Sequence, residues 1–447
     1  MRSVSEPGTI SISKLREDLR GEVITPEDAG YDAARTVFSG NIDRHPAVVV
    51  RPIDAREVAA IVSLARDSGS KLAVRSGGHS GPGFGVSDGG IVLDLSAMKR
   101  LDIDVDGRSA WAEAGLTAGE YTNAAGAHGL ATGFGDTGSV GIGGITLGGG
   151  IGFLVRKYGM TIDDLLAAEV VTADGELLRI DDETDPDLFW GIRGGGGNFG
   201  VATRFRFRLH EVPSIVGGIL MLPATPEVVA AFIAEAEAAP EALTTIANVM
   251  KAPPMPFIPE EHHGALAIFA LMAYAGDTDA GERAVAPFRA LAEPFADLLR
   301  PMSYPEIYMP DEEEYHPIAV GKTRFTDQLD ERVIATILDR VESSTAMMAV
   351  AQIRALGGAM ARVPDDATAF AHRRSRFMVT IANVYERVED TPTHQAWVDE
   401  LAALIGLNGR GAYVNFLGEE GEQGVRDAYP DPVWDRLRSI KRRYDPG

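Results

Sequence analysis

This chain reads as an α+β protein of two domains, one rich in glycine and one built as an antiparallel sheet covered by helices. Three observations predict it. At 447 residues the chain is longer than a single hydrophobic core usually serves. Its 50 glycines cluster between positions 77 and 200, where backbone must come close to something else. After Val212-Pro213 glycine thins out, and long amphipathic helical patterns alternate with short strand patterns, which is the texture of a sheet with helices on one face.

The elements follow in order. Asp54 and Glu57 are spaced as a capping box for a helix over 54–68, whose apolar face is Val58, Ile61, Val62 and Ala65. Strands are expected near 71–75 and 91–95. Leu101–Asp106 and Ser109–Ala114 flank Asp106-Gly107, a hairpin signal. Thr117 and Glu120 cap a further helix that ends before Gly129. A second hairpin turns at Asp174-Gly175, and Asp185-Pro186 opens a short helix with proline in its first turn. Val201–Leu209 alternates Arg204, Arg206 and Arg208 with Phe205, Phe207 and Leu209, as a half-buried strand does. Beyond Pro213, helices are expected at about 225–239, 278–292 and 327–345, with strands near 217–222, 265–273, 348–354 and 376–384. A strand at Ala412–Leu417 and a helix at about 432–443 close the chain.

Composition narrows the function. The formal net charge is −23, which disfavours nucleic acid and anionic membrane surfaces as partners. No cysteine occurs, so disulfides, thiolate nucleophiles, iron–sulfur clusters and cysteine-based zinc sites are ruled out. The stretch from Met1 to Thr9 has no apolar core of a leader peptide, and no apolar run approaches membrane-spanning length. A cytoplasmic protein is the expectation.

Three glycine-rich loops carry the chemistry. Arg75-Ser76-Gly77-Gly78-His79-Ser80 follows the apolar run Leu72-Ala73-Val74, so a strand leads into a loop with bare N–H groups suited to a pyrophosphate. The second loop, Thr137 to Gly152, brings Gly138, Ser139, Val140, Gly141, Gly143, Gly144 and Gly148, where a diphosphate or a flat ring can lie on backbone; Ser139 and Thr146 add hydroxyl donors. The third, Gly194 to Gly200, matches G-x-G-x-x-G. A helix precedes it and a strand follows, the reverse of the nicotinamide-binding arrangement. Neither the kinase motifs nor a phosphate-loop lysine is present.

The residues then resemble a known family. Arg75–Ser80, Val140-Gly141-Ile142-Gly143-Gly144 and Gly197-Asn198-Phe199-Gly200-Val201, in this order, are similar to the flavin-binding domain of the vanillyl-alcohol oxidase superfamily. Thr368-Ala369-Phe370-Ala371-His372-Arg373, Tyr413-Val414-Asn415-Phe416 and Lys441–Pro446 resemble the berberine bridge enzyme-like oxidases more narrowly. The resemblance implies a two-domain PCMH-type FAD-binding fold: a flavin domain over 1–212 with 408–447 returning to it, and a substrate domain over 213–407. It implies FAD bound covalently through His79, with the diphosphate over 75–80 and 137–144 and with Val201 and Asn415 also at the cofactor. Relatives often add a cysteinyl link three residues before the second loop's Val-Gly; that position is Thr137 here, so a single attachment is expected. The plainer reading of His79 is a histidine bonding its own loop.

The implied activity is oxidation of a small alcohol, sugar or amine, with molecular oxygen or another electron acceptor taking the electrons. A dehydrogenase with poor oxygen reactivity and a degenerate flavin-binding protein are the alternatives; a monomer or homodimer is expected. Tyr413, the ionisable member of Tyr-x-Asn, is the expected base. Its pKa of ~10 would have to fall for that work near neutrality. Phe416 stands where relatives carry a second tyrosine. His372 is the next candidate, although orienting Arg373 or bonding backbone is its simpler role. Phe84, five residues past His79, would bear on oxygen access. His262-His263 lacks metal-binding spacing and reads as a solvated loop, and no metal is expected. Asp311–Glu314 reads as a solvated charge run; Tyr304, Tyr308 and Tyr315 near it could line a substrate entrance, with surface packing the plainer reading.

Overall fold

The computed structural model describes residues 11–309, 315–406, 411–418 and 420–446. Among the described residues the first half holds a two-stranded pair, Leu130–Ala131 with His210–Glu211, and two larger sheets. In one, β1 (Glu22–Ile24), β2 (Val48–Arg51), β3 (Leu72–Arg75) and β4 (Ile91–Asp94) take the order β1-β2-β4-β3, with β4 parallel to both neighbours. The helix α1 (Ala55–Ser68) connects β2 to β3, the crossover that a parallel pair requires. Asp54 accepts the N–H groups of Arg56 and Glu57. The Glu57 carboxylate does not return the bond to Asp54; it takes the N–H groups of Ile53, Arg20 and Gly21 instead.

The other sheet joins β5 (Leu101–Asp104), β6 (Ser109–Glu113), β7 (Leu165–Val171), β8 (Leu177–Ile180) and β9 (Val201–Arg208) in the order β5-β6-β9-β7-β8, all antiparallel. Both expected hairpins form, β5/β6 and β7/β8. Thr117 and Glu120 close a reciprocal capping box on α2 (Ala118–Gly126).

From β10 (Ile215–Pro223) onward one large antiparallel sheet dominates. It runs β10, β12 (Leu266–Ala275), β11 (Leu243–Lys251), β14 (Met348–Ala355), β15 (Phe377–Tyr385) and β13 (Ile318–Thr326), with two short strands beside β10. Helices at Pro226–Ala238, Thr278–Arg289, Glu331–Ser343 and Thr391–Gly406 accompany it. Residues of all four helices share one core with Leu220, Ala247, Ile268, Ala351, Ile353, Val379 and Ile381 of the strands. The strands β11 and β13 and the helix at 391–406 lay outside the sequence expectation.

A separate core gathers Val48, Val58, Leu93, Phe205 and Phe207 and also takes in Ala412, Tyr429, Leu437 and Ile440 from the end of the chain. The expected strand at 412–417 does not form. The segment is a single 3-10 turn over Val414–Phe416, closed by Phe416 N–H to Tyr413 O at 2.9 Å. Among the described residues it pairs with no strand, because the Asn415 amide is drawn to a helix instead of leaving the backbone flat. The charge run at 311–314 lies outside the described residues. No described helix is long and apolar enough to cross a membrane.

Candidate functional site

The first two glycine loops lie against each other. A Cβ at Gly77 would collide with the backbone of Gly141, and one at Gly141 would collide with Gly77 and the Ser76 hydroxyl. Only glycine permits this approach. Ser76 Oγ donates to Ala114 O at 2.5 Å and accepts the Gly143 N–H at 3.3 Å, which pins one loop to the other. Gly78 turns at φ +72°. Among the described residues, the N–H groups of Gly77, Gly78, Val140 and Gly141 make no hydrogen bond within the chain. Around Gly144, the place of a Cβ is open space. Four donors and bare backbone in one seam fit the phosphates and ring edge of FAD.

Arg75 contributes backbone only. Its guanidinium turns inward to Asp94 at 2.8 Å, Ala34 O at 2.5 Å and Thr36 O at 3.2 Å, so it braces β3 and β4 and is not free to meet a phosphate. His79 stacks on Phe38, with ring centroids 4.3 Å apart. Ser80 Oγ accepts the Phe84 N–H at 3.2 Å, while the Phe84 ring is 68% exposed. Val201 opens β9 opposite Val171 and is buried. Thr146 is buried, and its hydroxyl has no partner among the described residues.

Asn415 and Tyr413 come together, by a turn and not by a strand face. Asn415 Nδ2 donates to Tyr413 Oη at 2.9 Å and to Ile145 O at 3.1 Å. It fills the space that a side chain at Gly148 would need. Tyr413 Oη also accepts the Gly150 N–H at 2.8 Å. The tyrosine is 2% exposed. Burial pushes its pKa up, against the opposing bonds from Asn415 and Gly150. That direction is opposite to the fall that base catalysis near neutrality would need.

His372 stands apart from Tyr413. It stacks on Phe325 at 4.7 Å, and Phe325 and Phe370 each contact both residues. Its ring occupies the place of any side chain at Gly411. Burial lowers its pKa, opposed by backbone bonds at Asp427 and Ala428. The next residue, Arg373, is fully buried and bidentate to Asp163, at 2.7 and 2.8 Å. His262 stacks on Phe295 and His263 bonds Ile258 O, and no group able to hold a metal ion occurs among the described residues. Tyr304 does not pack at the surface as expected but is buried in a small apolar core, because the large sheet and the segment just past the second glycine loop close over it, while Tyr315 is exposed.

The large sheet adds residues that sequence reasoning missed. Its face away from the four helices carries one row in exact cross-strand register: Met221, Phe269, Asn248, Gln352, Thr380 and Thr323. Gln352 Nε2 donates to Asn248 Oδ1 at 2.8 Å, and Asn248 Nδ2 to Phe269 O at 3.0 Å. The Thr380 and Thr323 hydroxyls are buried and have no partner among the described residues. Arg354, two positions along β14, binds Gln352 Oε1, the Asp136 carboxylate at 2.5 Å and Ile151 O at 2.9 Å. It thereby fastens the polar row to the second glycine loop. The signal was present: Met348, Val350, Gln352 and Arg354 alternate with Ala349, Ala351, Ile353 and Ala355.

Comparison with known proteins agrees with this geometry. Residues 46–181 match the FAD binding domain family model. The chain is similar to (R)-6-hydroxynicotine oxidase of Paenarthrobacter nicotinovorans, with 31% identity covering 97% of this chain and 96% of that one. Among solved structures, 6-hydroxy-D-nicotine oxidase from Arthrobacter nicotinovorans superposes with a TM-score of 0.85 at 28% identity, covering 96% of each chain. The wild-type BBE-like 1 protein of Physcomitrella patens shares the fold, with a TM-score of 0.88 at 20% identity over 98% of this chain and 97% of that one.

Proposed function

The chain belongs to the berberine bridge enzyme-like FAD-linked oxidoreductases of the vanillyl-alcohol oxidase superfamily, and from that membership we propose that it oxidises a small cyclic amine attached to a polar aromatic ring. It is an FAD-dependent enzyme. Bound FAD supplies the two-electron acceptor for a substrate C–H bond. In this reading residues 76–80 and 137–144 hold the cofactor, His79 is its covalent attachment point, and Asn415 buttresses Gly148 beneath it. The two cores support dividing the chain into a flavin domain over 1–212 and 408–447 and a substrate domain over 213–407, although 408 itself lies outside the described residues.

The observation that carries the substrate class is the neutrality of the sheet row. Asn248, Gln352, Thr380 and Thr323 offer amides and hydroxyls, and the nearest cation, Arg354, is already matched by Asp136. Alcohol and sugar oxidation calls for a base at the O–H, whereas a neutral amine can lose its C–H with the nitrogen lone pair assisting. A Tyr413 whose phenolate is disfavoured by burial, beside a neutral lining, suits the amine. The hydroxyls and amides then orient the aromatic ring's polar substituent, and Met221 and Phe269 take its apolar edge. The relative named for oxidising 6-hydroxynicotine supports the same class.

The test is bleaching of the flavin absorbance without oxygen by a panel of cyclic amines, aromatic alcohols and sugars. Amines should reduce the flavin fastest. Faster reduction by a sugar or an alcohol would overturn the amine reading, and reoxidation in air then separates oxidase from dehydrogenase.

Tyr413→Phe provides a second check. The Gly150 N–H and one Asn415 amide proton lose their buried acceptor, so stability should fall by about 1–3 kcal/mol. Flavin reduction by an amine should keep its pH profile. A loss of 10²–10⁴-fold in the reduction rate, the scale of a missing general base, would restore Tyr413 as the base.

A further inference from the structure

His79 is held by a residue outside its own loop. Its imidazole stacks on Phe38, with centroids 4.3 Å apart and planes 17° apart. The Phe38 N–H donates to Gly78 O at 3.1 Å, which ties the phenyl ring to the histidine loop through the backbone as well. The segment that leads into β13 holds the same stretch as well. His316 Nδ1 bonds Val37 O at 3.0 Å, and the Gly40 N–H donates to Pro317 O at 2.9 Å. Tyr315 meets the Phe38 ring edge-on at 6.4 Å. A side chain at Gly40 would strike the carbonyl of His316. Residues 37–40 precede the segment matched by the FAD binding domain model, 46–181, so this contact is no part of that signature.

We propose that Phe38 is a positioning residue for flavin attachment: its flat face fixes the plane of the His79 ring and aims one ring nitrogen at the flavin 8α carbon. The proposal rests on the reading of His79 as the attachment point. A histidine ring turns about its outer torsion over a broad range, and a nucleophile gains rate when held in near-attack geometry. In the step itself His79 loses its ring proton and forms an N–C bond to the 8α carbon. That carbon gives up one hydrogen as a second proton. The two electrons released pass to molecular oxygen, which takes up both protons as hydrogen peroxide, and the linked flavin is left oxidised.

The experiment follows attachment, not turnover. Wild-type protein and the variants Phe38→Ala, Phe38→Leu and Phe38→Tyr are supplied with FAD in air. At intervals each is precipitated with acid, and flavin is measured in pellet and supernatant. Wild type should carry flavin into the pellet. Phe38→Leu keeps apolar bulk without a flat face, and its pellet flavin should appear at least about tenfold more slowly, while the flavin bound by the native protein stays at the wild-type level. Phe38→Tyr should follow wild type. If Phe38→Ala does not fold, the Leu and Tyr variants decide. Attachment in Phe38→Leu at the wild-type rate overturns the role of Phe38. Wild-type flavin found wholly in the supernatant overturns the covalent reading itself and the proposal with it.

Discussion

Asp163→Asn should cost about 3–5 kcal/mol of stability, the usual penalty for breaking a buried ion pair from one side. Arg373 is 0% exposed, and its guanidinium binds both Asp163 oxygens and the Thr368 hydroxyl. The amide would leave a full positive charge in a dry site, with one acceptor oxygen in place of two. The pair joins the turn after the second glycine loop to the segment that leads into β15. Its loss therefore loosens the contact between the two halves as well as one side chain. The measurement is the urea midpoint followed by tryptophan fluorescence. A shift equivalent to less than about 1 kcal/mol, the range of an exposed pair, would show that water reaches Arg373. Replacing both partners, as Asp163→Leu with Arg373→Met, should recover much of the loss, because no uncompensated charge remains.

Gly141→Ala should sharply weaken FAD binding while most of the fold survives. The added methyl has no room, since it meets the Gly77 nitrogen and the Ser76 hydroxyl. Backbone cannot yield as a flexible side chain does, so the two loops must part. Overpacking of this kind costs about 1–3 kcal/mol, or roughly five- to 150-fold in affinity if it falls on the seam where the free N–H groups lie. Flavin content after dialysis, set against the circular dichroism of the same sample, measures it. Gly30→Ala is the control, because a Cβ there meets nothing within 4 Å, its φ is negative, and it lies outside the glycine loops. Equal flavin retention in wild type and Gly141→Ala would place the cofactor elsewhere.

Features governed by neighbours in the chain were legible in the sequence. Asp106-Gly107 and Asp174-Gly175 turn where expected because turn chemistry is local. The Thr117/Glu120 box forms for the same reason. The glycine loops announced themselves because close backbone approach excludes other residues. What depended on distant partners was hidden. The strand β13 carries Lys322 and Arg324, which face Asp399 and Glu420, so its charges masked its place in a sheet. Residues 412–417 have strand-like composition, but the Asn415 amide finds Ile145 O, 270 positions away, and the segment turns. Asn248 and Gln352 meet only through the register of β11 and β14. Tyr413 and Asn415 do meet, through a turn and not the expected strand face; that burial raises the tyrosine's pKa was not legible, because burial is a tertiary property.

The first core is completed by Tyr429, Leu437 and Ile440, which join Phe205, Phe207 and Leu209 only after the whole large sheet has been made. During synthesis that core waits. At about 5–20 residues per second, the ~200 intervening residues hold it open for roughly 10–40 s. For that interval the nascent flavin half exposes the apolar surface that its final helix will cover, so the ribosome-bound chain is the state most in need of a chaperone.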